Sequence, residues 1–373
     1  MSRPVAVELD LSALRHNVKR IREIAPQSKI LAMVKANAYG HGLIPIANAL
    51  AASSVEGFGV SCSEEALVLR EAGIKQKVVL MEGLFSKTEL PLLINHQLDT
   101  VIHDHRQLHL LTQQELETPI NVWIKINTGM NRLGFSSTDF PEIWQRCQSC
   151  SWIKVICVMT HFSSADDAIE KATTLQQIEE FNQVIKDLNV EKSLANSAAI
   201  LAYPDSHADW VRPGLILYGV SPFAIDSSVT ERNFRPVMNL KSEIITINQL
   251  KPDDRVGYSG TWIAPDSIRV GVIAIGYGDG YPHRAKNGTP VLVNEQLVEL
   301  VGQVSMDMLT VDLRTQPDAK QGDSVTLWGA GLPIEQVAMS TSTFRYELLC
   351  GINRGQLVRM HIEEKDDAGK KNG

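Results

Sequence analysis

The chain of 373 residues is predicted to fold as a (β/α)8 barrel of the TIM type, followed by a mainly β C-terminal domain. Eight short apolar runs alternate with helical patterns in its first part. After Tyr218 the sequence changes to short β-type segments separated by Gly, Pro, Asp and Asn. At ~150 residues per domain, the length leaves room for two domains. A doubly wound open sheet remains the alternative for the first part.

The eight apolar runs are the predicted barrel strands. They lie at residues 29–34, 57–61, 77–81, 99–102, 121–126, 154–160, 192–195 and 209–211. Most are apolar almost without interruption, as expected of strands that are buried on both faces of a parallel sheet.

Helical periodicity between these runs is clearest in two segments. One helix is predicted over 63–72, with Ser63 as its N-cap and Gly73 just after its end. The longer one is predicted over 166–188, because apolar residues recur there every three or four positions. These positions are Ile169, Ala172, Leu175, Ile178, Phe181, Ile185 and Leu188.

The second domain is predicted from short strands and one late helical pattern. The strands lie at 237–247, 268–275, 290–293, 297–304, 308–313 and 323–328. A helical period reappears only at 333–350. The domain boundary is therefore expected near 220–236, and the charged C-terminal end is expected to fray.

Composition excludes several classes of protein. A net charge of −7 leaves no basic surface suited to nucleic acid or to an anionic membrane. Five cysteines are too few for a disulfide framework, and their odd number would leave one unpaired. The N-terminus lacks an apolar leader. The longest stretch without charge, 36–55, contains polar residues that a spanning helix tolerates poorly. We therefore expect a cytoplasmic protein with no membrane and no nucleic-acid partner.

The segment from Met33 to Gly42 carries the first candidate for chemistry. Lys35 ends the first buried run, and a barrel holds its reacting groups at the C-terminal ends of its strands. A lysine that is desolvated in an apolar mouth can act as a nucleophile in Schiff-base chemistry. The loop after it is Gly-rich and contains Tyr39 and His41. A solvated lysine at a strand end is the alternative.

Further polar groups follow later strands on the same predicted rim. Arg132 lies in a loop that begins at Lys125 and suits recognition of a carboxylate or a phosphate, although a solvated arginine is the alternative. His161 follows the sixth run, and a structural histidine is its alternative role. Ser197 opens a helical pattern, and Arg212 precedes a Pro-Gly pair. Together these groups indicate one phosphorylated ligand above the barrel. A phosphorylated aldehyde that reacts with a lysine is pyridoxal 5'-phosphate.

Three other signals indicate no function. The glycines at 276–280 lack the strand and helix of a dinucleotide site. Cys147 and Cys150 have zinc-ligand spacing, but no second pair completes four ligands. His103, His105 and His109 are expected on a solvated helix start. No metal site is predicted.

The joint pattern resembles the bacterial alanine racemases over nearly the whole chain. The residues Val34–Gly42 look like the family's pyridoxal-phosphate lysine motif. The other matching segments, in the family's order, are 127–134, 160–162, 196–198, 212–219, 256–258, 275–282 and 304–307. The resemblance implies a barrel domain over 10–230 and a β-rich domain over 231–373, which the N-terminal strand 1–9 joins. It also implies a homodimer.

The resemblance implies a two-base isomerase. Inverting Cα requires acid/base groups on both sides of the substrate, and the family assigns Lys35 to the face of D-alanine and Tyr258 of the other subunit to that of L-alanine. A phenol is a poor base at neutral pH, so Tyr258 needs a nearby positive charge or hydrogen-bond network, for which His161 and Arg212 are the family's candidates. Arg212 should also face the pyridine nitrogen. Because an arginine holds its proton, this nitrogen stays largely unprotonated, which favours reprotonation at Cα over transamination.

The remaining site residues follow from the same resemblance. Tyr39, Ser197 and the backbone at Gly214 and Leu215 are expected to hold the phosphate. Arg132 and the Met306 backbone N–H are expected to hold the substrate carboxylate. The supporting residues are Lys125, which is often carbamylated in the family and would orient Arg132, with Tyr277 and Asp307.

One position departs from the family. Arg354 stands where some members carry a phosphate-binding tyrosine, so it is left out of the predicted site. The resemblance thus implies a pyridoxal-phosphate alanine racemase that supplies D-alanine for cell-wall peptidoglycan. The alternative is a serine or broad-specificity racemase of the same fold, since an apolar pocket rejects one added hydroxyl only weakly. A non-catalytic pyridoxal-phosphate carrier would need neither the β domain nor Tyr258.

Overall fold

The computed structural model describes residues 3–113, 115–225, 233–352 and, for the backbone, 358–362. Eight parallel strands form a closed barrel in its first part. They are β2 (Lys29–Met33), β3 (Gly57–Val60), β4 (Lys77–Leu80), β5 (Asp99–Ile102), β6 (Ile120–Lys125), β7 (Ile153–Met159), β8 (Glu191–Asn196) and β9 (Trp210–Arg212). All eight predicted runs are confirmed. Because β2 pairs with β9 through Lys29 and Trp210, the open-sheet alternative is wrong.

Helices surround the barrel and connect its strands. They are α1 (Leu11–Ile24), α2 (Lys35–Tyr39), α3 (Leu43–Ala52), α4 (Ser63–Glu71), α5 (Leu90–Asn95), α6 (His105–Thr112), α7 (Phe140–Gln148), α8 (Lys171–Val184) and α9 (Ser197–Ala202). Short 3₁₀ turns lie at Lys87–Glu89, Pro204–Ser206 and Leu215–Tyr218.

Two details of the predicted helices are wrong. The helix predicted over 166–188 is α8, which begins five residues later, since the Asp167 carboxylate accepts a hydrogen bond from the Ile169 N–H and forms a local turn. Ile169 is consequently 90% exposed rather than part of an apolar face. Ser63 does not cap α4. Cys62 occupies the N-cap position, and the Ser63 hydroxyl donates to Glu89 instead.

A buried polar layer closes the barrel interior at the N-terminal ends of the strands. The Asp99 carboxylate accepts from Lys77 Nζ at 2.7 Å, Asn121 Nδ2 at 2.9 Å and Trp123 Nε1 at 3.1 Å. The Trp123 ring meets Trp210 edge-on at 5.3 Å. The barrel is therefore plugged at this end, and an open cleft can form only at the other.

The β domain is built on an eight-stranded sheet. Its strands are β1 (Ala6–Asp10), β10 (Met238–Leu250), β13 (Ile268–Ile273), β14 (Pro290–Val293), β15 (Gln296–Leu300), β16 (Leu309–Asp312), β17 (Ser324–Trp328) and β18 (Val358–Ile362). β1 lies between β10, to which it is antiparallel, and β18, to which it is parallel. All six predicted strands are present in this sheet. The sequence patterns do not predict β18 or the two-residue strands β11 (Arg255–Val256) and β12 (Trp262–Ile263), which form a separate two-stranded sheet.

The late helical pattern is two helices rather than one. α10 (Ile334–Thr341) ends at Ser342, whose φ of +52° breaks the helix, and α11 (Arg345–Gly351) follows. The 3₁₀ turns of this domain are Tyr258–Gly260 and Tyr277–Asp279. Among the described residues, no helix has the length and apolarity that crossing a bilayer demands.

Asn17 of α1 ties the two parts of the structure together. Its Nδ2 donates to the carbonyls of Leu217 at 2.9 Å and Arg235 at 2.8 Å, and its Oδ1 accepts from the Arg235 N–H. These residues flank the segment 226–232, which lies outside the described residues. The expected domain boundary between 230 and 231 falls in that segment.

Candidate active site

A cleft of about 590 Å³ opens at the C-terminal ends of the barrel strands. This volume lies in the range of small-molecule sites. Its lining includes many of the residues that the sequence analysis selected. These are Lys35, Tyr39, Lys125, Arg132, His161, Ser197, Arg212 and Gly214.

Lys35 is presented by a left-handed helical turn. Ala36, Asn37, Ala38 and Tyr39 all have φ between +52° and +55°, although none is glycine. Each such residue costs about 1–2 kcal/mol relative to the right-handed form, so tertiary contacts must hold the turn. The Asn37 side chain accepts from the Leu43 N–H at 2.8 Å. The sequence predicts only a Gly-rich loop at this place.

The C-terminal helix α11 locks this turn at Gly40. This residue has a φ of +77°, and a Cβ placed on it would lie 2.0 Å from the Leu349 carbonyl oxygen. α11 also brings Tyr346 and Cys350 to the cleft wall. The packing of one helix therefore fixes both the Lys35 turn and one side of the cleft.

Arg212 lies at the end of β9, is 3% exposed and contacts only neutral acceptors. Its guanidinium donates to Ser193 Oγ at 2.7 Å and to the Thr160 carbonyl at 2.6 Å, and Nη2 lies 3.2 Å from His161 Nδ1. Burial lowers the Arg212 pKa to about 10, which leaves the group cationic at neutral pH. Within the described parts of the chain, no carboxylate pairs with it. The cation is thus held in place without being neutralised.

His161 is neutral because of burial and of these neighbours. Desolvation, followed by the charges of Arg212 and Lys125, holds its pKa well below the usual range. A neutral ring can accept from the Arg212 N–H at Nδ1. The interaction of the two side chains is therefore a hydrogen bond between a cation and an imidazole.

Lys125 lies at the end of β6 and is 7% exposed. Burial, and then the charges of Arg212, Arg132 and Lys35, lower its pKa to about 7. Glu82, which follows β4, opposes this shift only weakly. At neutral pH a large share of Lys125 is therefore the free amine.

Arg132 is presented by the Arg132 loop (residues 127–134), which Asn127 closes. Asn127 Oδ1 accepts from the Gly129 and Asn131 N–H groups at 3.2 and 2.9 Å. Asn127 Nδ2 donates to Asn131 Oδ1. These hydrogen bonds connect the start of the loop to Asn131, and the Arg132 side chain itself is exposed at the cleft.

Ser197 and Gly214 form another part of the cleft wall. The Asn196 side chain caps α9 by accepting from the Ala199 N–H at 3.0 Å, which places Ser197 at the start of the helix. The Gly214 N–H donates to Ser197 Oγ at 2.8 Å. A Cβ at Gly214 would lie 2.6 Å from the Tyr39 hydroxyl oxygen, so only glycine keeps this contact.

Several selected residues do not line this cleft. Tyr258, Met306 and Tyr277 are 70%, 52% and 42% exposed on the β domain. The Gly278 N–H donates to the Met306 carbonyl at 2.8 Å, and Arg3 bridges the Asp307 carbonyl and Asp279. Tyr277, Met306 and Asp307 therefore form one surface cluster.

Leu215 is buried next to Gly214 and is not part of the lining. His41 is buried as well, with its ring stacked on Tyr218 at 4.3 Å. Arg354 lies outside the described residues.

The cleft also contains residues that the sequence analysis did not select. Met33, Met81, Met159 and Leu133 supply apolar surface. Glu82 supplies the one carboxylate among the described lining residues. Their positions at strand ends could have identified Met81 and Glu82, but no local signal could place Tyr346 or Cys350, which reach the cleft from another domain.

Comparison with known proteins agrees with this geometry. Residues 9–222 match the family model "Alanine racemase, N-terminal domain" and residues 237–360 match "Alanine racemase, C-terminal domain". An alanine racemase of Nitrosomonas eutropha is 49% identical over 355 residues, which are 95% of this chain and 98% of that protein. One of Coxiella burnetii is 45% identical over 359 residues, with 95% and 98% covered.

Solved structures give the same result. The biosynthetic alanine racemase of Pseudomonas aeruginosa is 40% identical, with a TM-score of 0.92 over 97% of this chain and 100% of that one. The alanine racemase of Acinetobacter baumannii is 37% identical, with a TM-score of 0.88 over 96% and 100%. The chain belongs to the alanine racemase family.

Proposed function

We propose that this chain is a pyridoxal 5'-phosphate-dependent isomerase that interconverts L-alanine and D-alanine. The observation that carries the proposal is the convergence of Lys35, Lys125, Arg132 and Arg212 in one cleft, whose described lining includes one carboxylate. Such an excess of cations suits a ligand with several negative charges, such as a phosphorylated cofactor joined to an amino acid. The family membership supports the same reaction.

The residues present fit the cofactor. The phosphate would meet the hydroxyls of Tyr39 and Ser197 and the backbone at Gly214 and Leu215, where the Gly214 N–H would exchange its hydrogen bond to Ser197 Oγ for one to the phosphate. The absence of a Cβ at Gly214 keeps that wall open, and Arg212 offers a permanent donor to the pyridine nitrogen. When bound, pyridoxal 5'-phosphate withdraws electrons from Cα and so acidifies the proton there.

The protein must supply a base on each face of Cα. Lys35 serves the face of D-alanine from within the cleft, and Arg132 holds the substrate carboxylate. The second base is Tyr258. Its side chain is 70% exposed in this chain and does not line the cleft of the same chain. We infer that a second copy of the chain supplies Tyr258, together with the Met306 N–H and its neighbours Tyr277 and Asp307, in a homodimer.

Lys125 is the proposed site of carbamylation. With a pKa of about 7, its free amine can add carbon dioxide and release one proton. The resulting carbamate would carry a negative charge among Arg132 and Arg212 and would orient Arg132 for the substrate.

The division of labour follows from these assignments. Residues 10–230 hold the cofactor, and residues 231–373 with strand 1–9 carry the second base. We assign the enzyme to the cytoplasm, since its five cysteines are all free, as is usual in a reducing compartment. Its product would supply peptidoglycan.

Circular dichroism of L-alanine over time tests the activity. We expect the wild type to abolish the circular dichroism signal of L-alanine. The variants Lys35→Ala and Tyr258→Phe should leave this signal unchanged. The exposed Lys154 gives a matched control, Lys154→Ala, which should racemise normally. Unimpaired racemisation by Lys35→Ala would disprove the proposal, and equal activity on L-serine would favour the broad-specificity alternative.

Mixing the two inactive variants tests the shared site. A heterodimer of Lys35→Ala and Tyr258→Phe contains one complete site, so subunit exchange should restore about a quarter of wild-type activity. If the mixture stays inactive although heterodimers form, the two bases come from one chain.

A further inference from the structure

Gln177 is a buried polar residue that faces the barrel from the outer helix α8. It is 2% exposed, and its amide contacts two different loops. Nε2 donates to Thr128 Oγ1 at 3.3 Å and to the His161 carbonyl at 3.2 Å. Oε1 accepts from the Ser163 N–H at 3.0 Å and from its hydroxyl at 3.2 Å. Both donors and both lone pairs of the amide are used.

The two loops are those that present Arg132 and His161. Thr128 belongs to the Arg132 loop, whereas His161 and Ser163 belong to the His161 loop (residues 160–163). The loops also touch through the Thr128 and Thr160 hydroxyls, whose oxygens lie 2.7 Å apart. Arg212, which lines the cleft, donates to the Thr160 carbonyl of the His161 loop. Gln177 binds the same loop from α8.

We propose that Gln177 is a positioning residue that couples the Arg132 loop to the His161 loop and so sets the place of the substrate carboxylate. Gln177 itself does not line the cleft. This inference rests on the proposed function, in which Arg132 binds that carboxylate.

A neutral amide is required at this position. A carboxylate would retain the contacts to Ser163 but could not donate to Thr128 or to the His161 carbonyl, against which it would place a second acceptor. An apolar side chain of similar volume would leave the buried Thr128 hydroxyl and Ser163 N–H without this partner. In either case the Arg132 loop loses its attachment to α8.

The test compares Gln177→Met and Gln177→Glu with a matched control. The adjacent Gln176 lies on the same helix and is exposed, so Gln176→Met is the control. For the holoenzyme, we expect both Gln177 variants to raise KM for alanine about tenfold and to change kcat less than about threefold, because a carboxylate clamp acts on substrate and transition state alike. Calorimetric titration with propionate, which offers only the carboxylate, should show the same loss of affinity.

A merely structural role predicts a different result. It would lower Tm while KM and the propionate Kd stay within about twofold of wild type, and that outcome overturns the proposal, as would an equal effect of Gln176→Met. Thr128→Val should raise KM likewise, and the double variant should be less than additive, since both changes cut one connection. If wild type fails to racemise alanine, the proposed function fails, and propionate binding by the same variants still decides whether Gln177 positions Arg132.

Discussion

Lys125 should make the stability of the protein depend on pH. Its pKa is about 7 in the folded chain against an ordinary 10.5, so between these values the unfolded chain binds more protons and stability rises with pH. The destabilisation has its full size below pH 7, where the Lys125 amine is charged in both the folded and the unfolded chain. It then declines by up to about 1.4 kcal/mol per pH unit and vanishes above 10.5.

The variant Lys125→Met removes this titration. At pH 6 the charged lysine costs about 5 kcal/mol, and at pH 9 about 2 kcal/mol, so the stability advantage of Lys125→Met should shrink by about 2–3 kcal/mol between these conditions. Urea unfolding at fixed protein concentration in buffer free of carbon dioxide measures the difference. Lys154→Met, at an exposed position of β7, is the control and should show no such trend. A stability difference that does not vary with pH would refute the reasoning.

Bicarbonate should raise the stability of the protein, whereas desolvation of the charged Lys125 lowers it. Carbamylation consumes the free amine and places a negative charge beside two arginines, so added bicarbonate should stabilise wild type and leave Lys125→Met unchanged, as a melting-temperature series would show. Asp99→Ala should cost about 1–3 kcal/mol in urea unfolding, since it leaves the buried Trp123 N–H without its acceptor and removes the partner of the partly exposed Lys77, whereas the exposed Asp187→Ala should cost less than about 0.5 kcal/mol. A small loss for Asp99→Ala would mean that water replaces the carboxylate. Gly40→Ala should lower stability by several kcal/mol and weaken cofactor binding, because its Cβ meets Leu349, while Gly73→Ala, with the same sign of φ but open space, should cost only about 1 kcal/mol. Similar losses in the two glycine variants would show that backbone conformation, and not the contact with α11, decides the outcome.

Much of the barrel could be predicted from sequence because its strands are buried on both faces. Runs such as 77–81 are then apolar without interruption, and their C-terminal ends indicate where polar groups gather. This logic also placed Lys125 and Arg212 on one rim. It says nothing about which apolar residues line the cleft, and it overlooked Glu82.

Other features depend on contacts between distant parts of the chain. The sequence Ala-Asn-Ala-Tyr after Lys35 has no glycine, yet it forms a left-handed turn that the Leu349 carbonyl confines at Gly40. The predicted start of α8 is wrong for a local reason, because the Asp167 carboxylate accepts a hydrogen bond from the Ile169 N–H and so favours a turn over the helix. The role of Tyr258 depends on a second copy of the chain, because the site to which we assign it contains residues of two subunits.

The position of β1 has a consequence for synthesis on the ribosome. β1 precedes all eight barrel strands in the chain, yet its sheet partners, β10 and β18, begin at Met238 and Val358. Neighbouring barrel strands can pair in the order of their synthesis, whereas β1 gains its first sheet partner only after all the barrel strands have been translated. A nascent chain stalled before residue 238 would therefore contain every barrel strand together with a β1 strand whose backbone N–H and C=O groups lack their sheet partners.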